Sequence, residues 1–345
     1  MSSRLLGLIK EGGGVNDILK LALYSRKFFK NWLSSLIIAS LSYTGIAKKR
    51  YVTIKCVDNC ISEIPLMAFI RLLYSQKMNI VKRYDCCKNA VELINGVTIP
   101  IDEITNGDVY ALIAPLRGWK FDKNRKVWLK HGVEFRHIYY SILEIFDEGA
   151  YETVNCKDKD VVDVGAFVGD SAIYFVLRGA RRIIAVEPHP KAYKELVENI
   201  RLNRLEKRII PINAALSSVS GSINISLKDV DTASIAKNSL RRFIRYYEDV
   251  HTYRVKAITL GEIIKLYDVE GGVLKMDCEG CEYDIILNDF DHVALFDELM
   301  FEYHTYATGM LVQSLIRILS KNFSCRIIEG GSTQGIIHCI KRQND

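Results

Sequence analysis

The sequence predicts an α/β chain: a mostly parallel sheet closed by an antiparallel strand, preceded by a basic helical and mixed region. Three observations carry this prediction. From Asp160 onward, short apolar runs alternate with helical patterns, the signature of parallel βαβ units. The run Val161–Val164 enters a turn with glycine at Gly165 and Gly169 and leaves it as a helix. The charge is also uneven. The 345 residues carry a net +6, yet residues 1–55 hold ten Lys/Arg against Glu11 and Asp17, so the remaining 290 are near neutral at −2. Such a body is not a polybasic nucleic-acid coat. With 49% hydrophobic residues the chain can bury a sizeable core, and its length fits one large domain or two modest ones. We draw the boundary at 110/111: residues 1–110 as the basic helical and small mixed region, residues 111–345 as the α/β domain.

Asn16 is a plausible N-cap for a helix running to about Leu41. Ile18, Leu21, Ala22, Phe28, Phe29, Trp32, Leu33, Leu36 and Ile37 would form its apolar side. Lys20, Arg26, Lys27 and Lys30 would flank it. This pattern suits a helix packed on the body with solvated lysines. It also suits an interfacial helix on an anionic membrane or a lipid-linked substrate. The uncharged run Asn31–Ala47 has 17 residues, the lower length limit for a membrane span, and is too polar for one. Gly12-Gly13-Gly14 after the first ten residues does not resemble a secretory leader. Further along, strands are expected at Tyr51–Val57, Asn79–Tyr84, Val97–Pro100 and Val109–Ile113. Helices are expected at Ile64–Gln76 and His131–Phe146. Nine scattered cysteines read as reduced intracellular thiols, although hyperthermophile cytosol tolerates disulfides.

In the second part the expected strands are Val161–Val164, Ile183–Glu187, Ile209–Leu216, Val273–Asp277 and Leu299–His304. Cys325–Glu329 and Ile336–Ile340 would form the closing antiparallel pair. Helices fall at Ala172–Leu177 and Lys191–Asn203. An insertion follows the third strand: Gly221–Val230 as strand, then a helix-like Leu240–Tyr253 bearing Arg241, Arg242 and Arg245.

Ligands of such sheets bind at the carboxyl ends of the strands. The turn Asp163-Val164-Gly165-Ala166-Phe167-Val168-Gly169-Asp170 lacks the glycine spacing and Lys-Ser/Thr of a phosphate loop, and lacks the second glycine of a dinucleotide fingerprint. A carboxylate at Asp163 suits a cationic ligand better than a pyrophosphate. S-adenosylmethionine (SAM), with an ammonium and a sulfonium and no phosphate, meets that requirement. Glu187, 22 residues past Gly165, ends the second strand, where a carboxylate can accept from both ribose hydroxyls. Lys275, Asp277, Glu279 and Glu282 crowd the end of the fourth strand, and His304 ends the fifth. Clusters of this kind gather at functional sites.

Taken in order, Asp163-x-Gly165-Ala166-x-x-Gly169, Glu187-Pro188, Lys275-x-Asp277-x-Glu279-Gly280-x-Glu282 and Glu302-x-His304 resemble the FkbM family of SAM-dependent methyltransferases. The resemblance spans roughly 130–345 and is strongest over 160–305. It implies a class I methyltransferase fold, Rossmann-like and seven-stranded, and O-methylation of a hydroxyl on a sugar, glycolipid or related small molecule. On this reading Asp163, Gly165, Ala166, Gly169 and Glu187 hold SAM, with Asn213 and Ala214 at its adenine edge. Asp277, Glu279 and His304 are candidate bases. Glu282 orients or binds the acceptor, and Lys275 keeps a carboxylate ionised. Asp231-Thr232-Ala233-Ser234 either reaches the ligands or caps a turn. No metal ligand set is assigned, since Cys278-x-x-Cys281 has no second pair nearby in the sequence. The expected location is the cytoplasm, with peripheral membrane contact through residues 16–50. Two other readings stay open: an RNA methyltransferase, which the neutral body disfavours, and a SAM-fold assembly module without catalysis at a membrane.

Overall fold

The computed structural model describes residues 25–43, 49–57, 59–77, 79–106, 109–227 and 251–343. These fall into two compact units, one reaching to Leu143 and one made of Glu144–Leu227 with the residues from Thr252 on. The 110/111 boundary expected from the sequence falls inside the first unit. The physical reason is a buried tie across it: Trp128 Nε1 donates to Glu103 Oε2 at 2.9 Å.

The first unit begins with a helical turn at 25–28. The helix α1 (Trp32–Tyr43), the antiparallel hairpin β1 (Tyr51–Lys55) and β2 (Ile61–Pro65), and α2 (Leu66–Lys77) follow. The single helix expected up to Leu41 is therefore interrupted. Phe29 bridges to Cys56, and Lys30 donates its N–H to the Lys55 carbonyl at 2.7 Å, so strand-type pairing replaces the helical bonds there. Residues 16–24 of that expected helix lie outside the described residues. Next come the sheet β3 (Val81–Asp85), β4 (Ala90–Leu93) and β5 (Thr98–Pro100), the short α3 (Ile101–Asn106), and the sheet β6 (Lys120–Asp122), β7 (Val127–Lys130) and β8 (Val133–Phe135). Val109–Leu112 is a 3₁₀ turn rather than a strand. The helix expected from His131 starts only at α4 (Tyr140–Phe146), because Val133–Phe135 pairs with β7.

The second unit is a seven-stranded sheet in the order β11-β10-β9-β15-β16-β18-β17. Its strands are β9 (Asp160–Val164), β10 (Arg182–Val186), β11 (Ile209–Ile212), β15 (Val273–Met276), β16 (Glu298–His304), β17 (Phe323–Gly330) and β18 (Gln334–Lys341). The first five are parallel, and β18 is antiparallel to both β16 and β17. This is the mostly parallel α/β sheet closed by an antiparallel strand that the sequence predicts. The expected strand Ile209–Leu216 divides, because the chain leaves the large sheet at Asn213. Ala215–Leu216 (β12) then joins β13 (Gly221–Leu227) and β14 (His251–Ile258) in a three-stranded sheet. Residues 251–253, expected at the end of a helix, begin β14. Asp231–Ser234 and the arginines at 241, 242 and 245 lie outside the described residues.

Burial explains the order of the large sheet. All five β9 residues are buried, as in a strand covered on both faces. Ile184, Val162, Leu274, Leu299 and Cys339 lie in register across five neighbouring strands in one apolar row. The two-residue period then puts their neighbours Asp163 and Lys275 together on the opposite face. Helices α5 (Asp170–Leu177), α6 (Pro190–Leu202), α7 (Leu260–Tyr267), α8 (Cys281–Asn288), α9 (Phe290–Val293), α10 (Thr305–Thr308) and α11 (Val312–Leu319) complete the unit.

Eight cysteines are paired, as Cys56–Cys86, Cys60–Cys87, Cys278–Cys281 and Cys325–Cys339, and Cys156 is a buried thiol. This overturns the reading of reduced thiols. The chain brings Cys325 and Cys339 opposite each other in the β17–β18 register, which spacing alone does not reveal.

Candidate functional site

The parallel register aligns the carboxyl ends of β10, β9, β15 and β16 along one sheet edge. Val186 pairs with Val164, Val164 with Met276, and Met276 with Phe301. The residues just beyond these ends are the Gly165 turn, Glu187, Asp277 and, on β16 itself, Glu302 and His304.

The turn after β9 is fastened on both sides. Gly165 and Ala166 donate their N–H groups to the Val186 carbonyl, and the Asp277 N–H donates to the Val164 carbonyl at 3.0 Å. Gly165 has a φ of +71°, and a side chain there would overlap the Asp277 carbonyl oxygen. Gly169, at φ +88°, has Leu196 Cδ1 only 2.6 Å from where a Cβ would sit. Backbone therefore forms the floor of the turn, as a closely held ligand requires.

Asp163 lies beneath this floor, fully buried. Lys275 Nζ is 3.0 Å from its Oδ1, and the Ser171 hydroxyl donates to Oδ2 at 2.6 Å. Lys275 also donates to the Gly165 carbonyl at 2.9 Å. The two residues are register neighbours on adjacent strands, so their pairing follows from the sheet. Burial opposes the Lys275 charge, but the negative charges of Asp163 and Asp277 outweigh it and raise the ammonium above its usual range. Lys275 thus pairs with Asp163 beneath the turn.

Glu187 is buried at the end of β10. Its Oε2 accepts from Phe167 N–H at 2.8 Å and its Oε1 from His189 N–H at 2.7 Å. Burial pushes its carboxyl up to about 7 despite those two donors. Each oxygen keeps a lone pair for a further donor. The Asn213 side chain donates to the Glu187 carbonyl at 2.8 Å and so braces this strand end, while Ala214 is buried beside it.

On the other side of the turn, four carboxylates surround one imidazole. His304 is wholly buried. Its Nε2 lies 4.0 Å from Asp277, 3.7 Å from Glu279 and 3.6 Å from Glu302, and its Nδ1 lies 3.4 Å from Glu282. Burial alone would lower the imidazole. Glu282 and Glu302, followed by the charge of Asp277, overcome that and raise it to about 10. His304 is therefore an imidazolium at neutral pH and cannot accept a proton. Glu282 is also committed: it accepts from Cys278 N–H at 2.9 Å and Gly280 N–H at 2.8 Å, closing the turn that enters α8. Glu279, at φ +56°, is the most exposed of the four carboxylates, and Asp277 is half-buried.

All of the residues expected at the site from Asp163 to His304 thus meet along one edge. Asp163, Lys275 and Glu282 do so as buried supports. Glu302, quoted in the last motif without a role, faces the site with His304, two residues on along the same strand. One residue, Tyr151, was missed, since it sits in an irregular stretch ahead of the first motif. Lys275 Nζ lies 5.8 Å from its ring centre, and burial, with the charges of Asp277 and others, holds its phenol protonated. Asp277, Glu302 and His304 also offer ligand atoms within 4.8 Å of one another.

The chemistry of this edge fits a sulfonium nucleoside. Its carboxylates match a cation, Glu187 matches a ribose diol, and buried Asp170 opens α5 where a phosphate would need a donor.

Residues 163–324 match the model of the methyltransferase FkbM domain. A curated tRNA(Phe) (4-demethylwyosine(37)-C(7)) aminocarboxypropyltransferase from Pyrococcus horikoshii is 31% identical over 85 residues, 25% of this chain and 31% of that protein. A ribosomal protein L11 methyltransferase from a Geobacter species is 33% identical over 70 residues, 20% of this chain and 23% of that protein. The chain thus spans less than a third of the length of these relatives. The crystal structure of methyltransferase FkbM from Methylobacillus flagellatus aligns with a TM-score of 0.37 at 14% identity, over 55% of this chain and 45% of that one.

Proposed function

We propose that the chain is a SAM-dependent methyltransferase of the family whose domain model matches residues 163–324, and that it O-methylates a hydroxyl of a sugar, glycolipid or related small molecule. The observation that carries this reading is the carboxylate ring around the His304 imidazolium, directly beside the Gly165 turn.

When bound, SAM supplies the methyl group on a leaving sulfonium. The protein holds it through the Gly165–Gly169 backbone and through Glu187, whose free lone pairs accept from the ribose hydroxyls. Lys275 and Asp163 keep the turn rigid from below. Bound there, SAM would offer its methyl carbon to an in-line acceptor oxygen and would depart as a neutral thioether. Asp277, next to the turn, takes the hydroxyl proton, and Glu279 binds a neighbouring hydroxyl. A well-placed base of this kind contributes roughly 10²–10⁴-fold. His304, held protonated, keeps the carboxylates close without their repelling one another, while Glu282 and Glu302 hold it.

A second reading is an RNA acceptor. It is favoured by a relative that is by name a tRNA-modifying transferase and by the basic residues 1–55. A non-catalytic assembly module fits less well, because it gives no reason for an intact Asp277/Glu279/His304 set. Cytoplasmic placement with peripheral membrane contact goes with a glycolipid acceptor, and the disulfides fit it where the cytosol tolerates them, as in hyperthermophiles.

The test uses labelled SAM with glycolipid, glycan and RNA fractions. Label in glycolipid or glycan, lost in Asp277→Asn, supports the proposal. Label in RNA selects the second reading. Calorimetry should find SAM or S-adenosylhomocysteine binding that Glu187→Ala abolishes, and binding of NAD(H) in its place sinks both readings.

A further inference from the structure

We infer that the outer face of α1, with the cations at either end of it, docks on an anionic lipid bilayer. The helix is amphipathic in the reverse sense of one that faces water. Toward β1 and α2 it buries Ser35, Ala39 and Ser42. Ser35 Oγ donates to the Thr53 carbonyl at 3.0 Å, so small residues let the helix lie close on the hairpin. Three of its large apolar side chains point away: Leu33 is 56% exposed, Ile37 50% and Leu41 38%. Spaced by four, they line one face.

Charge selects the occupant. Residues 18–57 contain eight Lys/Arg and no Asp or Glu, and α1 itself carries no charge. Arg26, Lys27 and Lys30 precede the helix and Lys49 and Arg50 follow it, all exposed. A second copy of this chain, meeting the face by two-fold symmetry, would set these cations against one another. A nucleic acid would satisfy the cations but leave Leu33, Ile37 and Leu41 in water. An anionic bilayer satisfies both, with acyl chains against the stripe and headgroups against the basic ends. None of the described helices is long and apolar enough to cross a membrane, and α1 has 12 residues. This deepens the peripheral-contact reading above, but its test needs no methyl transfer, so either can fail alone.

The experiment is co-sedimentation of the full chain with vesicles of phosphatidylcholine, with and without 40% phosphatidylglycerol. Binding is expected to the anionic vesicles only and to be lost in 1 M salt, where screening acts within about 3 Å. Leu33→Asp and Ile37→Asp should each weaken it at least tenfold. Replacing Arg26, Lys49 and Arg50 by Gln should weaken it roughly 100-fold, at about 1 kcal/mol per cation. Circular dichroism and S-adenosylhomocysteine binding confirm that the variants stay folded. Three results overturn the proposal: no binding to anionic vesicles, binding that the two Asp variants leave unchanged, or a dimer in solution that Leu33→Asp dissociates.

Discussion

Replacing Lys275 by Met should destabilise the second unit by about 4 kcal/mol at pH 7. The change keeps the side chain's length and removes its charge. Asp163 is then left fully buried with only the Ser171 hydroxyl beside it, and the Gly165 carbonyl loses its 2.9 Å donor. Breaking a buried ion pair from one side costs about 3–5 kcal/mol, a large share of the 5–15 kcal/mol that holds a typical domain together. The double variant Asp163→Asn/Lys275→Met removes both charges and should recover most of the loss. All three tryptophans belong to the first unit. Urea unfolding is therefore best followed by far-UV circular dichroism, taking the transition that S-adenosylhomocysteine shifts. A loss under about 1 kcal/mol, or a double variant as weak as the single one, would refute the placement of the pair.

Other outcomes follow from the same geometry. Ribose hydroxyls donate best to an ionised Glu187, so S-adenosylhomocysteine affinity should be flat above pH 8 and fall below 7, by up to about 30-fold at pH 5.5 in calorimetry. In the absence of ligand the sign is opposite for stability. Folding raises this carboxyl from 4.5 to about 7, so its contribution is full below pH 4.5 and is lost as pH rises through 7, by about 3 kcal/mol. Asp277→Asn should lower kcat by roughly 10²–10⁴-fold with little change in SAM affinity. With His304 raised to about 10, the acid limb of the rate profile should report a carboxylate, and an inflection near 6.5 that vanishes in His304→Gln would contradict it. Alkylation of the denatured, unreduced protein should label Cys156 and leave the eight paired cysteines unlabelled, as read by mass spectrometry.

Much of the second unit was legible because local and global preferences agree there. The strands around Val162, Ile184, Leu274 and Leu299 are short apolar runs, and a strand buried on both faces has no other pattern available. Where a segment's partners lie far along the chain, periodicity misled. The helix expected at His131 yields to the β7–β8 hairpin, the strand at Ile209–Leu216 splits between two sheets, and the helix expected to reach Leu41 is broken by the Phe29–Cys56 bridge.

The candidate site divides in the same way. The spacing of glycines and carboxylates from Asp163 to His304 was enough to expect a cationic nucleoside ligand and a cluster of titrating groups at one sheet edge. Their individual chemistry was decided by the fold. Register sets Lys275 against Asp163 and away from a catalytic role. Burial among four carboxylates makes His304 a held cation when a free histidine would be a base, and Asp277 and Glu279 remain the more exposed of the four. The sequence by itself determined which residue types gather and on which strands. Only the tertiary structure decided their protonation, because a side chain's charge answers to neighbours that the chain brings together from more than a hundred residues apart.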